Sequence, residues 1–403
     1  MADKGYRLYG YRWVVLAVFM FINLTMQILW ISYAPITTPA AQFYGVSDAQ
    51  IGFLAELFMI AFVPLSLPIS WAIDTWGIHR AVGLGAILMA VFGILRGLSP
   101  NYSLIMWSTL GLAIAQPFLL NSWTKVPAQW FGIDERATMV GLVTLSNLLG
   151  IAIGEALPPI LLQGGMSIQT EQLIFGSVAA FSSVLFLILA REKPPTPPCP
   201  PGQDTRALML DGLKHALKVR DFWFFLFVAF IGLAIFNGVS TWVEDIIRPR
   251  GFTPTDAGTL GALMVVGGIV GAVVMPSFSD KQRKRVRYLM IGFLLAIPGL
   301  LGVTYATNFW LLMASGFWLG FFLISTSPIG FQYAAEITQP TPEGTSNGLI
   351  QLFGQASVIY VSIMVALKTS NGSFTPSLLL AVGLIAVSLV LITQMKDPVF
   401  SKN

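Results

Sequence analysis

The sequence predicts an all-α membrane protein in which twelve transmembrane helices form two pseudo-symmetric six-helix bundles. Three observations carry that prediction. Of 403 residues, 55% are hydrophobic and 10% are charged, well under the roughly one quarter charged of a soluble domain. A soluble core could not hide so much apolar surface, so lipid is the implied solvent. Apolar runs of about 18 to 25 residues recur, each long enough to cross a hydrocarbon layer of roughly 30 Å. The basic residues collect on alternate loops between those runs.

The runs lie near 13–34, 50–73, 81–98, 103–126, 137–160, 172–190, 222–247, 255–278, 288–306, 309–335, 344–368 and 375–394. They lack the strict alternation of spanning strands. Between the sixth and seventh the composition changes. Arg191 to Gly202 reads REKPPTPPCPPG, an extended polyproline stretch. TRALMLDGLKHALKVRD follows. Leu210, Leu213 and Leu217 lie along one side of it and Lys214 and Lys218 on another, as in a helix lying on a membrane surface. The predicted organisation is a six-helix bundle over 1–190, a cytoplasmic linker with an interfacial helix over 191–220, and a second six-helix bundle over 221–403.

Charge sets the orientation. With the N-terminus inside, only Arg96, Arg248, Arg250 and Lys368 of the 23 basic residues fall at outer ends, and Lys125 falls within a span. The expectation is an integral, multi-pass protein of a plasma or inner membrane with both termini cytoplasmic. Met1 to Arg12 carries no cleavable signal pattern.

Several function classes are excluded. The net charge of +4 is spread over the chain, which argues against nucleic acid as a partner. Cys199 stands alone, so no internal disulfide is expected. His79 and His215 are predicted near the cytoplasmic surface and form no metal-ligand cluster with it. No phosphate-binding G-x-x-x-x-G-K-[ST] loop is present, and no histidine is predicted inside the membrane for a catalytic triad. The chain is therefore read as a non-enzyme without cofactor or metal, acting as a monomer on a small-molecule substrate within the lipid bilayer.

The loop after the second span reads SWAIDTWGIHR, with Asp74, Gly77 and Arg80. The loop after the eighth reads SFSDKQRKR, with Asp280, Arg283, Lys284 and Arg285. An acid, a short turn and bases thus recur at the same place in each half, the mark of internal repetition with a site near mid-membrane. The first of these loops and WFGIDERATMVG, from Trp130 to Gly141, resemble signatures of the major facilitator superfamily. The resemblance implies gating roles for Asp74, Arg80, Arg136 and Asp280. It also implies that the first loop's acid meets the positive N-terminal end of helix 11, which opens at Glu343-Gly344-Thr345-Ser346.

Polar side chains within the spans form stripes. Span 11 places Asn347, Gln351 and Gln355 at i, i+4 and i+8; span 7 places Asn237, Thr241 and Glu244 on one side, with Asp245 beside them. Span 4 carries Gln116 and Trp123, and span 1 carries Gln27, Trp30, Tyr33 and Ala34 around one side. Polar atoms facing lipid are costly, so these stripes line either a wet cavity or inter-helix hydrogen bonds. Among the acids, Glu56 lies nearest mid-membrane and is a candidate for neutralising a bound cation or carrying a coupling proton; Glu244 is the second candidate. Glu155 lies within span 5, in GIAIGEALPP, which partly resembles the superfamily's antiporter motif. Arg96 and Lys125 near the ends of spans 3 and 4 are the charges of interest for an anionic cargo.

A closer resemblance covers nearly the whole chain. RWVVL at 12–16, FYGVS at 43–47, FVPLSLPISWAIDTWG at 62–77, FNGVST at 236–241 and SPIGFQYAAEITQPTPEGTSNGL at 327–349 are similar to the feline leukaemia virus subgroup C receptor-related family of haem, choline and ethanolamine transporters. That resemblance implies that Trp30 packs on the ammonium group of a substrate and that Gln116 and Gln355 contact it. The family's helix 7 tyrosine falls on Asn237, leaving Tyr33, Trp123, Trp242 or Tyr333 to complete an aromatic cage. Haem would want an axial His, Cys, Met or Tyr, and nothing marks one. The expected function is alternating-access transport of a small organic cation or amine-containing metabolite, choline-like. The alternatives are a proton-coupled carrier of another nutrient, vitamin-like or anionic, or of drugs, and a non-transporting membrane receptor.

Overall fold

The computed structural model describes residues 7–198, 209–339, 341 and 343–397; the side chains of 133, 134, 137, 209–211, 213, 343–345 and 347 lie outside that description. Twelve helices among the described residues are long and apolar enough to cross a membrane. They are α1 (Arg12–Tyr44), α2 (Asp48–Trp76), α3 (Ile78–Leu98), α4 (Tyr102–Trp130), α5 (Thr138–Gln163), α6 (Ile168–Leu189), α7 (Arg220–Thr241), α8 (Pro254–Gln282), α9 (Arg285–Tyr305), α10 (Phe309–Ile337), α11 (Gly348–Ala366) and α12 (Thr375–Gln394). Between α6 and α7 lies a short helix, Met209–Ala216. Cys199, the end of the polyproline stretch and the Leu210 and Leu213 side chains fall outside the described residues.

Three of the six counterpart pairs match in length. α2 and α8 are each 29 residues, α3 and α9 each 21, and α4 and α10 each 29. Their starts match as well. Ser47 accepts from the Gln50 N–H at 3.3 Å while Gln50 accepts from the Ser47 N–H at 3.0 Å. Thr253 and Asp256 repeat this reciprocal cap at α8, at 3.2 and 2.8 Å. Asn101 caps α4 and Asn308 caps α10. Such side chains satisfy N–H groups that the first helical turn leaves without partners.

The chain divides into two compact units. One comprises Met1–Tyr33 and Pro39–Arg206; the other comprises Ala34–Thr38 and Ala207–Asn403. In the first, α3 packs on α6 and α4, α1 on α5 and α6, and α2 on α4. In the second, α10 packs between α8 and α9, while α7 contacts α10, α11 and α12. Between two apolar helices in lipid there is little hydrophobic drive, so backbone proximity does the packing. α8 and α10 meet at glycines: a Cβ on Gly320 would overlap the Met264 carbonyl, and one on Gly271 the Phe321 carbonyl. Outward positions such as Leu67, Trp71, Phe181, Ile188 and Trp310 are exposed and apolar, as a lipid-facing surface requires.

Candidate functional site

In the first unit the Trp30 indole is buried, and its Nε1–H donates to the Ala55 carbonyl of α2 at 3.3 Å. Glu56, the next residue, is itself buried and engaged in a polar or ring contact. Tyr33 lies one turn beyond Trp30. Its hydroxyl is 3.5 Å from that of Tyr44, and the Arg96 guanidinium stands 4.5 Å from its ring centroid. Gln27 donates to Asn147 of α5 at 2.9 Å, so this amide of the α1 stripe serves helix packing. Gln116 on α4 is buried, and its Oε1 accepts no hydrogen bond among the described residues. Trp123 is half-buried with its Nε1–H likewise unpartnered.

Arg96 is fully buried and donates to the Leu29 carbonyl. Near it lie two side chains that sequence reasoning missed. Glu171 and Gln172 at the start of α6 are both buried; Gln172 donates to Glu171 at 3.2 Å and shares a hydrogen bond with Ser32 at 3.3 Å. They sit at the edge of an apolar run, and the packing of α6 on α1 and α3 draws them inside.

In the second unit the Asn237 Nδ2–H donates to Ser357 Oγ at 2.9 Å. Ser357 lies where the helix Glu343–Gln355 stops and Val358–Ala366 begins. Asn237 is thus held at the break in the eleventh span, two residues beyond Gln355. Gln351 and Gln355 are half-buried; the Asn347 side chain lies outside the described residues. Thr241 is fully buried, and its hydroxyl lacks a partner among the described residues. Trp242 stacks on Phe374 at 5.6 Å and donates to the Val361 carbonyl, so it is a packing residue.

Past the end of α7, Glu244 is buried and accepts from the Thr38 N–H at 2.7 Å, with Arg248 3.8 Å away. Asp245 pairs with Arg248 at 2.9 Å and Lys368 at 3.0 Å. Burial pushes the Glu244 carboxyl up to about 7, outweighing the Thr38 hydrogen bonds and Arg248, which pull it down. This acid changes charge near neutral pH.

At the loops that repeat between halves, Asp74 pairs with Lys125. Lys125 opens the closing turns of α4, Lys125–Trp130, after a non-helical turn, and a third of its side chain is exposed. It is an end charge and not a deep one. In the second unit Arg285 pairs with Asp280 and, at 3.0 Å, with Glu336 of α10. Arg80 is exposed, and Arg136 donates to the Phe131 carbonyl at 3.2 Å. The Glu192 carboxylate, unforeseen from sequence, accepts from the N–H groups of Ile78 and His79 at 2.9 and 2.7 Å. It thus sits at the positive end of α3, beside Gly77, whose φ of +89° needs glycine.

The family model described as Major Facilitator Superfamily matches residues 14–362 and, in a second match, 245–402. The chain belongs to this superfamily. Among curated members, the choline/ethanolamine transporter flvcr2b of Danio rerio is 28% identical over 405 residues, covering 95% of this chain and 84% of that one. The choline/ethanolamine transporter FLVCR1 of Felis catus is 31% identical over 371 residues, covering 85% of this chain and 66% of that one. Among solved superfamily structures, a bacterial homologue of the human lysosomal transporter Spinster superposes with a TM-score of 0.69 at 15% identity, covering 96% of each chain. The nucleoside transporter NupG gives 0.68 at 12% identity, covering 94% of this chain and 99% of that one. The expected fold class and family are thereby established: an integral, multi-pass transporter of the superfamily, acting on a small molecule.

Proposed function

We propose that this transporter moves a small organic cation or amine-containing metabolite, choline-like, by alternating access. The observation that carries the reading is Trp30. Its indole is buried and held by the Ala55 carbonyl. A Trp face near a cation contributes about 0.5–2 kcal/mol. Gln116 adds an acceptor without a protein partner among the described residues. The names of the Danio rerio and Felis catus relatives support the same substrate class.

In this reading Trp30, Tyr33, Gln116, Trp123, Asn237, Thr241, Gln351 and Gln355 contact substrate. Asp74, Arg80, Arg136 and Asp280 control the gates. The bundles move as units over 1–190 and 221–403, joined by 191–220, with both termini cytoplasmic and the protein monomeric in a plasma or inner membrane. No chemical step is involved.

A second reading, proton-coupled transport, is favoured by Glu244, whose carboxyl titrates near neutrality; Glu56 is the other candidate for that role. Uptake of labelled choline and ethanolamine into proteoliposomes tests both readings. Saturable uptake supports transport, and acceleration by an imposed pH gradient supports coupling. Absence of flux under every gradient removes the proposal.

A further inference from the structure

Glu155 on α5 is fully buried, and both of its carboxyl oxygens lack a hydrogen-bond partner among the described residues. The helix around it is pressed against α1: a Cβ on Gly150 would overlap the Leu24 carbonyl, and one on Gly154 would meet Ile31 and Ile28. The Gln27–Asn147 pair lies two turns earlier on the same face. Pro158 and Pro159 follow within the same helix. A helical carbonyl takes its hydrogen bond from the N–H four residues on, or three in a tightened turn. For Glu155 those residues are Pro159 and Pro158, and proline has no N–H. The Glu155 main-chain carbonyl therefore has no helical donor of either kind, and the Gly154 carbonyl loses its fourth-residue donor. One turn of α5 thus holds a carboxyl without a hydrogen-bond partner among the described residues beside main-chain carbonyls that have lost their fourth-residue helical donors. Burying such a group is costly, and a positive charge relieves the cost.

We propose that this turn of α5 is a monovalent-cation site, in which the Glu155 carboxylate and the freed main-chain carbonyls hold an alkali ion or the N–H groups of a primary ammonium. The two share one chemistry, a small singly charged cation met by oxygen acceptors. A quaternary ammonium offers these oxygens no N–H, so choline is the poorer ligand at this turn. The ammonium source rests on the transport reading above; the alkali source stands without it.

The test is thermal unfolding of the purified full chain, with tetraethylammonium chloride replaced at constant ionic strength by sodium chloride, ethanolamine hydrochloride or choline chloride. Sodium or ethanolamine is expected to raise Tm saturably in the wild type. Glu155→Gln, of the same size, is expected to abolish that rise. Pro159→Ala returns an N–H to the Glu155 carbonyl while keeping the carboxyl, and is expected to weaken the response several-fold; it also keeps the test open should Glu155→Gln misfold. A sodium response alone assigns an inorganic ion and survives a failure of amine transport in liposomes. An ethanolamine response alone assigns the substrate. No response in the wild type, or a response unchanged in both variants, overturns the site.

Discussion

The Trp30 indole donates its N–H to the main-chain carbonyl of Ala55, 3.3 Å away, and so is fixed beside the residue that precedes Glu56. An aromatic ring anchored by its own polar edge keeps its faces in one orientation. Glu56, the neighbouring residue, is itself buried in the same stretch of α2.

Trp30→Ala should therefore raise the half-saturating choline concentration by about 2- to 30-fold, the equivalent of roughly 0.5–2 kcal/mol of lost cation–π attraction. Trp30→Phe should recover part of that loss. Concentration series of labelled choline in proteoliposomes check both, and an unchanged value for the alanine variant removes Trp30 from the site.

Glu244 should couple stability to pH. Its folded carboxyl titrates near 7, above the ordinary 4.5, so folding favours the neutral acid. That contribution is present below about pH 4.5 and is lost as pH rises through about 7. Thermal unfolding across this window should show the wild type losing Tm relative to Glu244→Gln. Parallel curves for the two proteins would refute the assignment.

The Asp74–Lys125 ion pair predicts a charge-swap result. Asp74→Lys places two bases together and should cut uptake several-fold. Adding Lys125→Asp should restore most of it. Both variants expose little new apolar surface, so their size-exclusion profiles should match the wild type.

Gly320→Ala should destabilise the second unit by about 1–3 kcal/mol, because the added methyl group meets the Met264 carbonyl and two backbones must separate. Gly383→Ala, where the same group meets nothing, should not lower Tm.

The spans were legible because an apolar run long enough to cross lipid has few other uses, and the repeated Asp74 and Asp280 loops already paired the halves. Burial of Trp30, Gln116, Asn237 and Thr241 followed from the cost of turning polar atoms to oil. Partner choice was not legible. Gln27 reads equally as a lining or a packing residue until α5 brings Asn147 to it, and Glu192 reads as linker until the chain folds it onto the start of α3. Glu171 and Gln172 sit at an apolar run's edge, where composition cannot separate surface from interior. These contacts arise between segments distant in sequence, so no local pattern encodes them.

The matched lengths of α2 with α8, α3 with α9 and α4 with α10 have an evolutionary reading. A duplicated ancestor explains why counterparts agree to the residue, and it makes their departures informative. The first and fifth pairs depart most: α1 runs 33 residues against 22 for α7, and α5 runs 26 with adjacent prolines, whereas α11 runs 19 and breaks before Val358. Divergence accumulated in the first and fifth pairs, where the halves interrupt their backbones in different ways.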